Sequence, residues 1–519
     1  MTRRTTTHAT PCPQAVEGEV AMAVATHIHA DAHVHVDENA DVGVGVDVDA
    51  NANADVEVGM EVGMKVGVEE KAGAGRRPTE ADSIPANRPE GRSGGADDSG
   101  RSRTVLISGA SVAGPALAYW LCRHGYRPTV VEVAPALRGG GFAVDFRGSA
   151  HLTVLERTGI LDEIRRHSTG GGPAMSFIDD RGRQLATLPP EFAAGDVEIL
   201  RSDLSRILYH HSLTPAADGH PAPEYLFDDT ITSLTPTPEG VRATFARTPS
   251  RTFDLVIGAD GLHSTVRRLA FGPEQDFVSH LGYYVAAWDL PESARDLAAR
   301  SVGYSEPGRV VTVGRTPRRS AEPGYAGEVF CVFASEEQLT GDRRDLPAHK
   351  RAIARAYEGA GWRTPELIDT LWEADELYFD SLSRVDVPCW STGRIALLGD
   401  AAYGATLGGM GTGSAIIGAY VLAGELAASP DDHSAAFARY ESRLRPYVTQ
   451  CQEGGRGTGA FLAPTTQEAI DARNIALNDP AARAAMLQQG HDLSMAITLD
   501  DHDPGDPAPH PTGTSIGHA

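Results

Sequence analysis

The sequence predicts an α/β fold in which a mostly parallel sheet is interrupted by a second, antiparallel sheet and followed by long helices. Three observations support this prediction. The folded part opens with a strand–turn–helix–strand order, two further buried strands end in glycine-bearing turns, and alternating apolar segments lie between those two strands. Low-complexity tails flank this part of the chain.

The first unit begins at "RTVLISGA", where residues 104–108 form a short apolar run typical of a buried parallel strand. A helical pattern follows in "PALAYWLCRHG", with Pro115 near the first turn and Gly125 just past the end. The next strand is predicted in "RPTVVEVA", which completes a βαβ unit. This order predicts a Rossmann-like nucleotide-binding domain.

Two more buried strands are predicted in "FDLVIGADG" and "RIALLGDAA". They indicate that the chain returns to this domain. Between them, alternation in "LGYYVAAWDL", "GRVVTVGRT" and "GEVFCVFASEE" predicts an antiparallel sheet. Long helices are expected in "AIIGAYVLAGELA" and "AAFARYESRLRPYVTQCQ". The predicted boundaries are 102–275 for the first part of the nucleotide-binding domain, 276–385 for the inserted sheet domain, 386–428 for the rest of the first domain, and 429–490 for C-terminal helices.

Both ends of the chain are predicted to be disordered tails, residues 1–101 and 491–519. The stretch "VGVGVDVDANANADVEVGMEVGMKVGVEE" lacks aromatic residues and is rich in small and acidic ones. A transient hairpin and an artefactual extension of the reading frame are the alternatives. Four histidines in "HIHADAHVHVDE" could bind a metal weakly, but no folded frame fixes their geometry, so no metal site is predicted.

Composition excludes several classes of protein. The net charge of −24 argues against a nucleic-acid binder, which needs a basic face. Five scattered cysteines without a CxxC pair fit a reducing compartment. We find no apolar run near the ~20 residues that span a bilayer and no export signal. These features predict a soluble cytoplasmic protein, monomeric or homodimeric, without a membrane partner.

The first motif that carries chemistry is "GASVAG". Gly109 and Gly114 supply the tight turn and the close helix–strand packing of a dinucleotide fingerprint, and Ser111 takes the place of its second glycine. Glu132 stands where a carboxylate accepts hydrogen bonds from ribose hydroxyls. Because that charge repels a 2′-phosphate, the expected nucleotide is an adenosine with a free ribose. A merely structural glycine turn is the alternative.

Two more motifs follow. "GADGLHSTVRR" holds Asp260 and Gly261, although Asp260 or Ser264 could simply cap the next helix. In "LLGDAAYGATLGGMGTGSA", Asp400 would accept hydrogen bonds from a sugar-alcohol chain. The glycine-rich segment after it would lie against a flat ring, at which the next helix aims its N–H groups. The candidate residues of that segment are Gly408, Gly409, Met410 and Gly411.

These motifs, in this order, resemble those of the FAD-dependent aromatic hydroxylases, the class A flavoprotein monooxygenases with the p-hydroxybenzoate hydroxylase fold. The similarity runs from about Thr104 to Val448 and is closest to the tetracycline-inactivating and actinobacterial natural-product branches. In "RGGGFAVDFRGS", the resemblance implies a flavin contact for Asp145 and a nicotinamide-cofactor contact for Arg138. In "EILRSDLSRIL", it implies a flavin contact for Arg201. From the residues alone, Arg138 is a loop charge and Arg201 a helix-surface residue.

The resemblance implies FAD as the bound cofactor and NADPH or NADH as a transient electron donor, with Arg138 favouring NADPH. In such enzymes the reduced flavin reacts with O2 to a C4a-hydroperoxide, and one oxygen passes to an aromatic or polyketide substrate. The cofactor makes the bonds, so no catalytic side chain is expected. The sequence departs from the family at Ser111 and in the "GD" loop, which lacks the usual proline.

The candidate substrate lining is Tyr283, Tyr284 and Trp288, for which plain core packing is the alternative. Other functions remain open at this point: a flavin-dependent reductase or epoxidase of the same fold, and a non-catalytic nucleotide-binding module. A flavin-dependent halogenase is disfavoured, because Lys350 is the only lysine beyond the N-terminal tail and no WxWxIP-type segment occurs.

Overall fold

The computed structural model describes residues 102–137, 139, 143–171, 173–316, 319, 324–339, 345–407 and 410–502. The predicted N-terminal tail lies outside the described residues, and so do the predicted site residues Arg138, Gly408 and Gly409.

In chain order the strands are β1 Thr104–Ser108, β2 Arg127–Val131, β3 Ala143–Phe146, β4 Met175–Ile178, β5 Gln184–Leu188, β6 Val197–Leu200, β7 Glu224–Leu226, β8 Ile231–Thr237, β9 Gly240–Phe245, β10 Arg251–Phe253, β11 Leu255–Gly258, β12 Val278–Leu290, β13 Val302–Glu306, β14 Arg309–Gly314, β15 Gly327–Ala334, β16 Tyr378–Val385, β17 Ser391–Thr392 and β18 Ile395–Leu397. The helices are α1 Ala113–Arg123, α2 Gly148–Thr158, α3 Leu161–Arg166, α4 Glu191–Ala194, α5 Arg201–Ser212, α6 Thr265–Ala270, α7 Leu346–Ala356, α8 Thr364–Thr370, α9 Asp400–Tyr403, α10 Gly411–Ala428, α11 His433–Gly455, α12 Thr458–Leu462, α13 Gln467–Asn478 and α14 Pro480–Ser494.

The first sheet has the strand order β17-β18-β11-β1-β2-β7. β1 pairs in parallel with β2 and β11, and β11 pairs in parallel with β18. Val105, Leu106 and Ile107 of β1 are completely buried, as expected of a parallel strand covered on both faces. The predicted βαβ unit and buried strands are confirmed. Because the strands are parallel, the three glycine-bearing motifs all follow carboxyl ends at one edge of the sheet.

The second sheet has seven strands in the order β16-β12-β15-β14-β13-β4-β5, and its central strands are antiparallel as predicted. β4 and β5 fall within residues 102–275, which the sequence assigned to the first domain, yet they extend this sheet. β4 joins it by parallel pairing of Ser176 with Val302. Two smaller sheets combine β3 with β6, and β8 to β10.

Alternate residues of the second sheet point to two different apolar clusters. One face, here called the inner face, carries Phe177, Val285, Val310 and Leu382 and is packed by side chains from α12 and α13. The opposite face packs against residues of α7 and α8. A strand exposes successive side chains on opposite faces, so the two clusters are built from interleaved positions.

The C-terminal segment remains ordered beyond the predicted limit of residue 490. α14 ends at Ser494, and the chain then passes Tyr420 of α10, whose hydroxyl donates to the Asp500 carbonyl at 2.9 Å. Arg157 donates to the same carbonyl at 2.7 Å. The predicted disordered tail therefore has its first part fixed against α2 and α10, and residues 503–519 lie outside the described range.

α10 is long and apolar enough to cross a membrane, with a mean hydropathy of 1.2 over 18 residues. The sequence analysis expected no such run. In the structure 78% of this window is buried inside the protein, against α1, α2 and α11. The apolar composition of α10 is therefore explained by its position as a core helix.

Candidate functional site

The turn between β1 and α1 requires glycine at two positions. Gly109 has a φ of +106°, and its N–H donates to the Val131 carbonyl at 2.8 Å. A Cβ on Gly109 would clash with the Ala259 carbonyl, and one on Gly114 would clash with the Gly109 carbonyl. Gly114 thereby permits the close helix–strand packing expected of the third fingerprint glycine. Ser111 is half-buried in the same turn.

Glu132 lies beside this turn, directly after β2. Its carboxylate accepts hydrogen bonds from the N–H groups of Ala110 and Ala134, both at 2.9 Å. At the start of α1, the N-cap residue Val112 provides no side-chain cap, so the first turn keeps unsatisfied N–H donors. A helix N-terminus next to a carboxylate fits two groups of a dinucleotide. The N–H groups of the helix would bind phosphate oxygens, and the carboxylate would accept hydrogen bonds from ribose hydroxyls.

The Asp260 carboxylate, a predicted cofactor contact, is hydrogen-bonded to other groups of the protein. Its carboxylate accepts from Ser108 Oγ at 3.0 Å, from the Thr265 N–H at 2.9 Å and from Ser264 Oγ. Ser264 is the N-cap of α6 and accepts from the Arg267 N–H at 3.0 Å. These bonds support the structural alternative, in which Asp260 ties α6 to β1. Burial raises the pKa of Asp260.

Gly261 and Arg267 complete this second motif. Gly261 has a φ of +79°, and a Cβ placed on it would meet open space, so its conformation, not crowding, favours glycine. Arg267 is completely buried and donates to the Ala401 carbonyl at 2.9 Å. It thereby connects the turn after β11 to the helix that begins at Asp400. The sequence analysis missed this role, although the residue lies within a motif that it quoted.

Asp400 is the first residue of α9, three residues after β18. Its half-buried carboxylate accepts no hydrogen bond from any described residue, and a Cβ on Gly411 would lie 3.2 Å from its Oδ1. The carboxylate therefore lies at the N-terminus of α10. Burial raises the pKa of Asp400, Arg201 partly opposes this rise, and Asp380 adds to it. A half-buried carboxylate without a partner is the feature that a bound sugar-alcohol hydroxyl would satisfy.

The loop between α9 and α10 holds two non-glycine residues in the left-handed region. Leu407 has a φ of +62°, and Met410, the N-cap of α10, has a φ of +51°. Such conformations cost about 1–3 kcal/mol each and cluster at ligand sites. The loop is held against β16 by bonds from the Val385 N–H to the Gly404 carbonyl at 2.8 Å and from the Thr406 N–H to Ser383 at 3.0 Å. Gly411 opens α10 directly after this strained turn.

Arg201 and Asp145 lie on adjoining elements. Arg201 is the first residue of α5, and its half-buried side chain makes no hydrogen bond or ion pair within the part of the chain that the structure describes. Its charge acts on Asp400. Asp145 in β3 pairs with Arg147 at 2.7 Å instead, and burial raises its pKa despite that ion pair. Arg201 thus interacts electrostatically with Asp400, whereas Asp145 has an internal partner.

The three candidate lining residues separate onto two faces of β12. Tyr283 is on the inner face, and its ring fills the space beside Gly459 of α12. Tyr284 and Trp288 belong to the opposite cluster, where Trp288 donates to Thr370 Oγ1 at 2.9 Å. For these two residues, the structure supports the alternative given above, plain core packing. Tyr378 of β16, which the sequence analysis did not select, lies near the charges of Asp400 and Arg201, and burial raises its pKa.

The His151 ring of α2 packs against Gly413, near the start of α10. It is 2% exposed, and its Nδ1 accepts the Arg147 N–H at 3.1 Å. The neutral ring therefore carries its proton on Nε2, which donates to the Tyr447 hydroxyl at 2.8 Å. Burial, with Arg147, lowers the pKa of His151 from 6.5 to about 4. A Cβ on Gly413 would clash with this ring, so glycine lets α10 approach it.

Comparison with known proteins identifies the family of this chain. The model of the FAD binding domain family matches residues 102–454. The uncharacterized protein Rv1260 of Mycobacterium tuberculosis (strain ATCC 25618 / H37Rv) is 41% identical over 357 residues, or 67% of this chain and 92% of that protein. A flavin-dependent monooxygenase of an unknown prokaryotic organism is 35% identical over 381 residues, covering 72% and 94%. The crystal structure of tetracycline destructase Tet(51) has a TM-score of 0.66 at 29% identity, covering 77% and 100%.

The chain therefore belongs to the FAD-dependent class A flavoprotein monooxygenase family, as its motifs predicted, and its cofactor is FAD. The residues present fit that cofactor: the glycine turn and the Asp400 carboxylate, which accepts no hydrogen bond from any described residue, follow strands of the parallel sheet, and the charge of Arg201 acts on Asp400.

Proposed function

We propose that this monooxygenase uses NADPH or NADH and O2 to hydroxylate an aromatic or polyketide-type small molecule. The observation that carries the proposal is the position of Asp400. A carboxylate that accepts no hydrogen bond from any described residue lies at the start of α10, and the loop that follows it is bonded to β16, whose inner face also carries Tyr378. This arrangement would place the proposed flavin seat beside an apolar face of the second sheet.

The chain's residues divide the work of holding the cofactor. Glu132 and the start of α1 would take the ribose and the phosphates, while Asp400 would accept hydrogen bonds from the ribityl chain. The N-terminus of α10 would stabilise negative charge on the flavin ring. Arg201 and Asp145 would contact the flavin, as the family resemblance implies. Arg138 would contact the nicotinamide donor.

When bound, FAD supplies the redox chemistry, accepting a hydride from the nicotinamide and activating O2 for transfer of one oxygen atom. The protein would position the substrate and exclude water between the flavin seat and the inner face. Tyr283 is the proposed lining residue from β12, joined by Tyr378 and by Phe461 of α12, all in the same apolar cluster. We further propose that the enzyme is cytoplasmic and either monomeric or homodimeric.

The test is NADPH oxidation and O2 uptake by the FAD-loaded full chain across a panel of phenols, flat polycyclic aromatics and polyketides. We expect at least one panel member to accelerate NADPH oxidation and to gain the mass of one oxygen atom. Tyr283→Leu, measured beside Tyr284→Leu as the opposite-face control, should raise KM for that substrate more strongly. A panel that leaves the oxidation rate unchanged and returns unmodified would contradict the proposal.

A further inference from the structure

His263 belongs to the second glycine motif, and its imidazole ring lies between two carboxylates. Nδ1 is 3.2 Å from both carboxylate oxygens of Glu274, and Nε2 is 3.3 Å from Oδ1 of Asp380. Glu274 lies between α6 and β12, and Asp380 is a residue of β16. The side chains of His263, Glu274 and Asp380 are 27%, 23% and 26% exposed, so water can exchange protons with them. The ring thus joins the turn after β11 to the second sheet.

The hydrogen-bond chemistry of these groups shows which form of the ring makes every bond. An ionised carboxylate only accepts hydrogen bonds, and a neutral imidazole has a single N–H donor. A neutral ring therefore satisfies one of the two carboxylates, whereas an imidazolium donates to Glu274 from Nδ1 and to Asp380 from Nε2. Arg267 also faces this cluster, with its Nη2 3.8 Å from Glu274 Oε2. The bridge is complete only when the His263 ring carries both protons.

The two elements that this ring joins also hold residues 400–406, the segment that starts with Asp400. The turn after β11 holds the segment through α6, because Arg267 donates to the Ala401 carbonyl at 2.9 Å. β16 holds its other end, because the Val385 N–H donates to the Gly404 carbonyl at 2.8 Å. The imidazolium connects α6 and β16 to each other. It therefore closes a ring of contacts around the segment.

The charge of Asp380 also acts on Asp400, where it adds to the rise in pKa that burial causes. An imidazolium places a positive charge beside Asp380. A neutral His263 would remove that charge, and the two carboxylates would then repel each other more strongly. Loss of the second ring proton thus has two effects in the same direction. One carboxylate loses its donor, and Asp400 faces more negative charge.

We propose that His263 is a positioning residue for the flavin. As an imidazolium bridging Glu274 and Asp380, it holds residues 400–406 in the conformation that binds FAD. The inference rests on the placement of this segment at the flavin, which is part of the proposed function. His263 itself need not touch the cofactor. Loss of its second proton weakens FAD binding, so the affinity for FAD depends on pH through this ring.

The test titrates FAD into the apoproteins from about pH 5.5 to about pH 9, a range that spans the ordinary titration of histidine. Each variant is compared with the wild type at the same pH, which cancels the effects of other titrating groups. His263→Gln is uncharged throughout, so it should bind FAD about fivefold more weakly at the low end and within about twofold at the high end. His263→Arg keeps its charge and several donors at every pH, so it should match the wild type at the low end and bind about fivefold more tightly at the high end.

Two more variants test the bridge itself. An asparagine amide can accept from a protonated ring and donate to a neutral one. His263→Gln should therefore change the Kd for FAD less than about twofold when it is added to Asp380→Asn. His210→Gln is the matched control, because His210 is an exposed residue of α5, and it should leave the Kd unchanged at every pH. Urea unfolding shows that each variant is folded, and His263→Gln and Asp380→Asn decide the outcome if His263→Arg is not.

The ratio of the Kd of His263→Gln to that of the wild type decides the proposal. A ratio that is the same at both ends of the pH range would overturn it, because a value near one means no role and a constant larger value means lost packing alone. An unchanged Kd in His263→Gln beside a raised Kd in Asp400→Asn would reject the role of His263 and keep the flavin placement. Unchanged values in both would reject both. No substrate is needed, so a failure of the proposed hydroxylation leaves this test intact.

Discussion

Replacing Asp400 with asparagine should weaken FAD binding without weakening the fold. Asparagine keeps the size of the side chain and removes its charge. In the protein without FAD this carboxylate has no hydrogen-bond partner among the described residues, and burial raises its pKa. The charged form is therefore unfavourable in the folded protein, and its removal should leave the free energy of unfolding unchanged or slightly higher.

The affinity for FAD, in contrast, should fall. A hydrogen bond from a ribityl hydroxyl to a carboxylate contributes about 1.5–3 kcal/mol. A bond to the neutral amide oxygen contributes about 0.5–1.5 kcal/mol, so the substitution loses about 1–1.5 kcal/mol, which corresponds to a rise in the Kd for FAD of about 5- to 13-fold. Asp400→Ala removes both oxygens and should be purified without FAD.

The assay titrates FAD into each apoprotein and follows the quenching of flavin fluorescence, while urea unfolding reports the stability of the apoprotein. Asp369→Asn is the matched control, because Asp369 is an exposed residue of α8 on the far side of the second sheet. A Kd for Asp400→Asn within threefold of the wild type, or stoichiometric FAD in Asp400→Ala, would refute the placement of this loop at the flavin. A loss of apoprotein stability above about 1 kcal/mol would refute the electrostatic reasoning.

Three further predictions follow from the described contacts. Gly109→Ala should destabilise the protein by about 2–4 kcal/mol, because a Cβ at a φ of +106° meets the Ala259 carbonyl; urea unfolding measures the loss, and a wild-type midpoint would contradict it. His151 has a pKa of about 4 in the folded protein against 6.5 when unperturbed, so between these values the unfolded chain binds a proton that the folded chain excludes. The free energy of unfolding should therefore fall by about 3 kcal/mol from pH 6.5 to pH 4, and His151→Gln should have a correspondingly smaller pH slope; equal slopes would show that another group is responsible. Removing residues 1–101 should leave FAD content and NADPH oxidation unchanged, since the family match begins at residue 102; absorbance and steady-state rates check this, and a large loss of either would give the tail a role.

The sequence predicted those parts of the fold that local patterns encode. The run of residues 104–108 is β1 itself, because a short apolar segment before a glycine turn has few other solutions. The parallel pairing of β4 with β13 was not predicted, since it joins segments distant along the chain and leaves no periodic signal. The ordered path of residues 495–502 was missed for a related reason. Its acidic, proline-rich composition reads as disordered, whereas its contacts with α2 and α10 come from other parts of the chain.

The sequence pattern also could not tell which residues of β12 line the proposed substrate site. Alternation along β12 predicted a strand with two faces, but a period of two does not say which face lies toward the cofactor. The proposal that the Tyr283 face lies toward the cofactor rests instead on β16 and on residues of α12 and α13, which pack on that side. Tyr284 and Trp288, equally aromatic, fall on the other side and pack with residues of α7 and α8.

The three glycine motifs are one structural unit, which changes how the middle motif should be read. Asp260 joins β1 to α6, and Arg267 of α6 donates to the Ala401 carbonyl, one residue after Asp400. A change at Asp260 would therefore reach the proposed flavin seat through α6, even without touching the cofactor. Because Arg267 is completely buried, its guanidinium has no solvent to replace a lost acceptor. The middle motif therefore has a structural role as well as any role in cofactor binding. Through Arg267 it holds the segment after β18, and so the Asp400 carboxylate, at the start of α10.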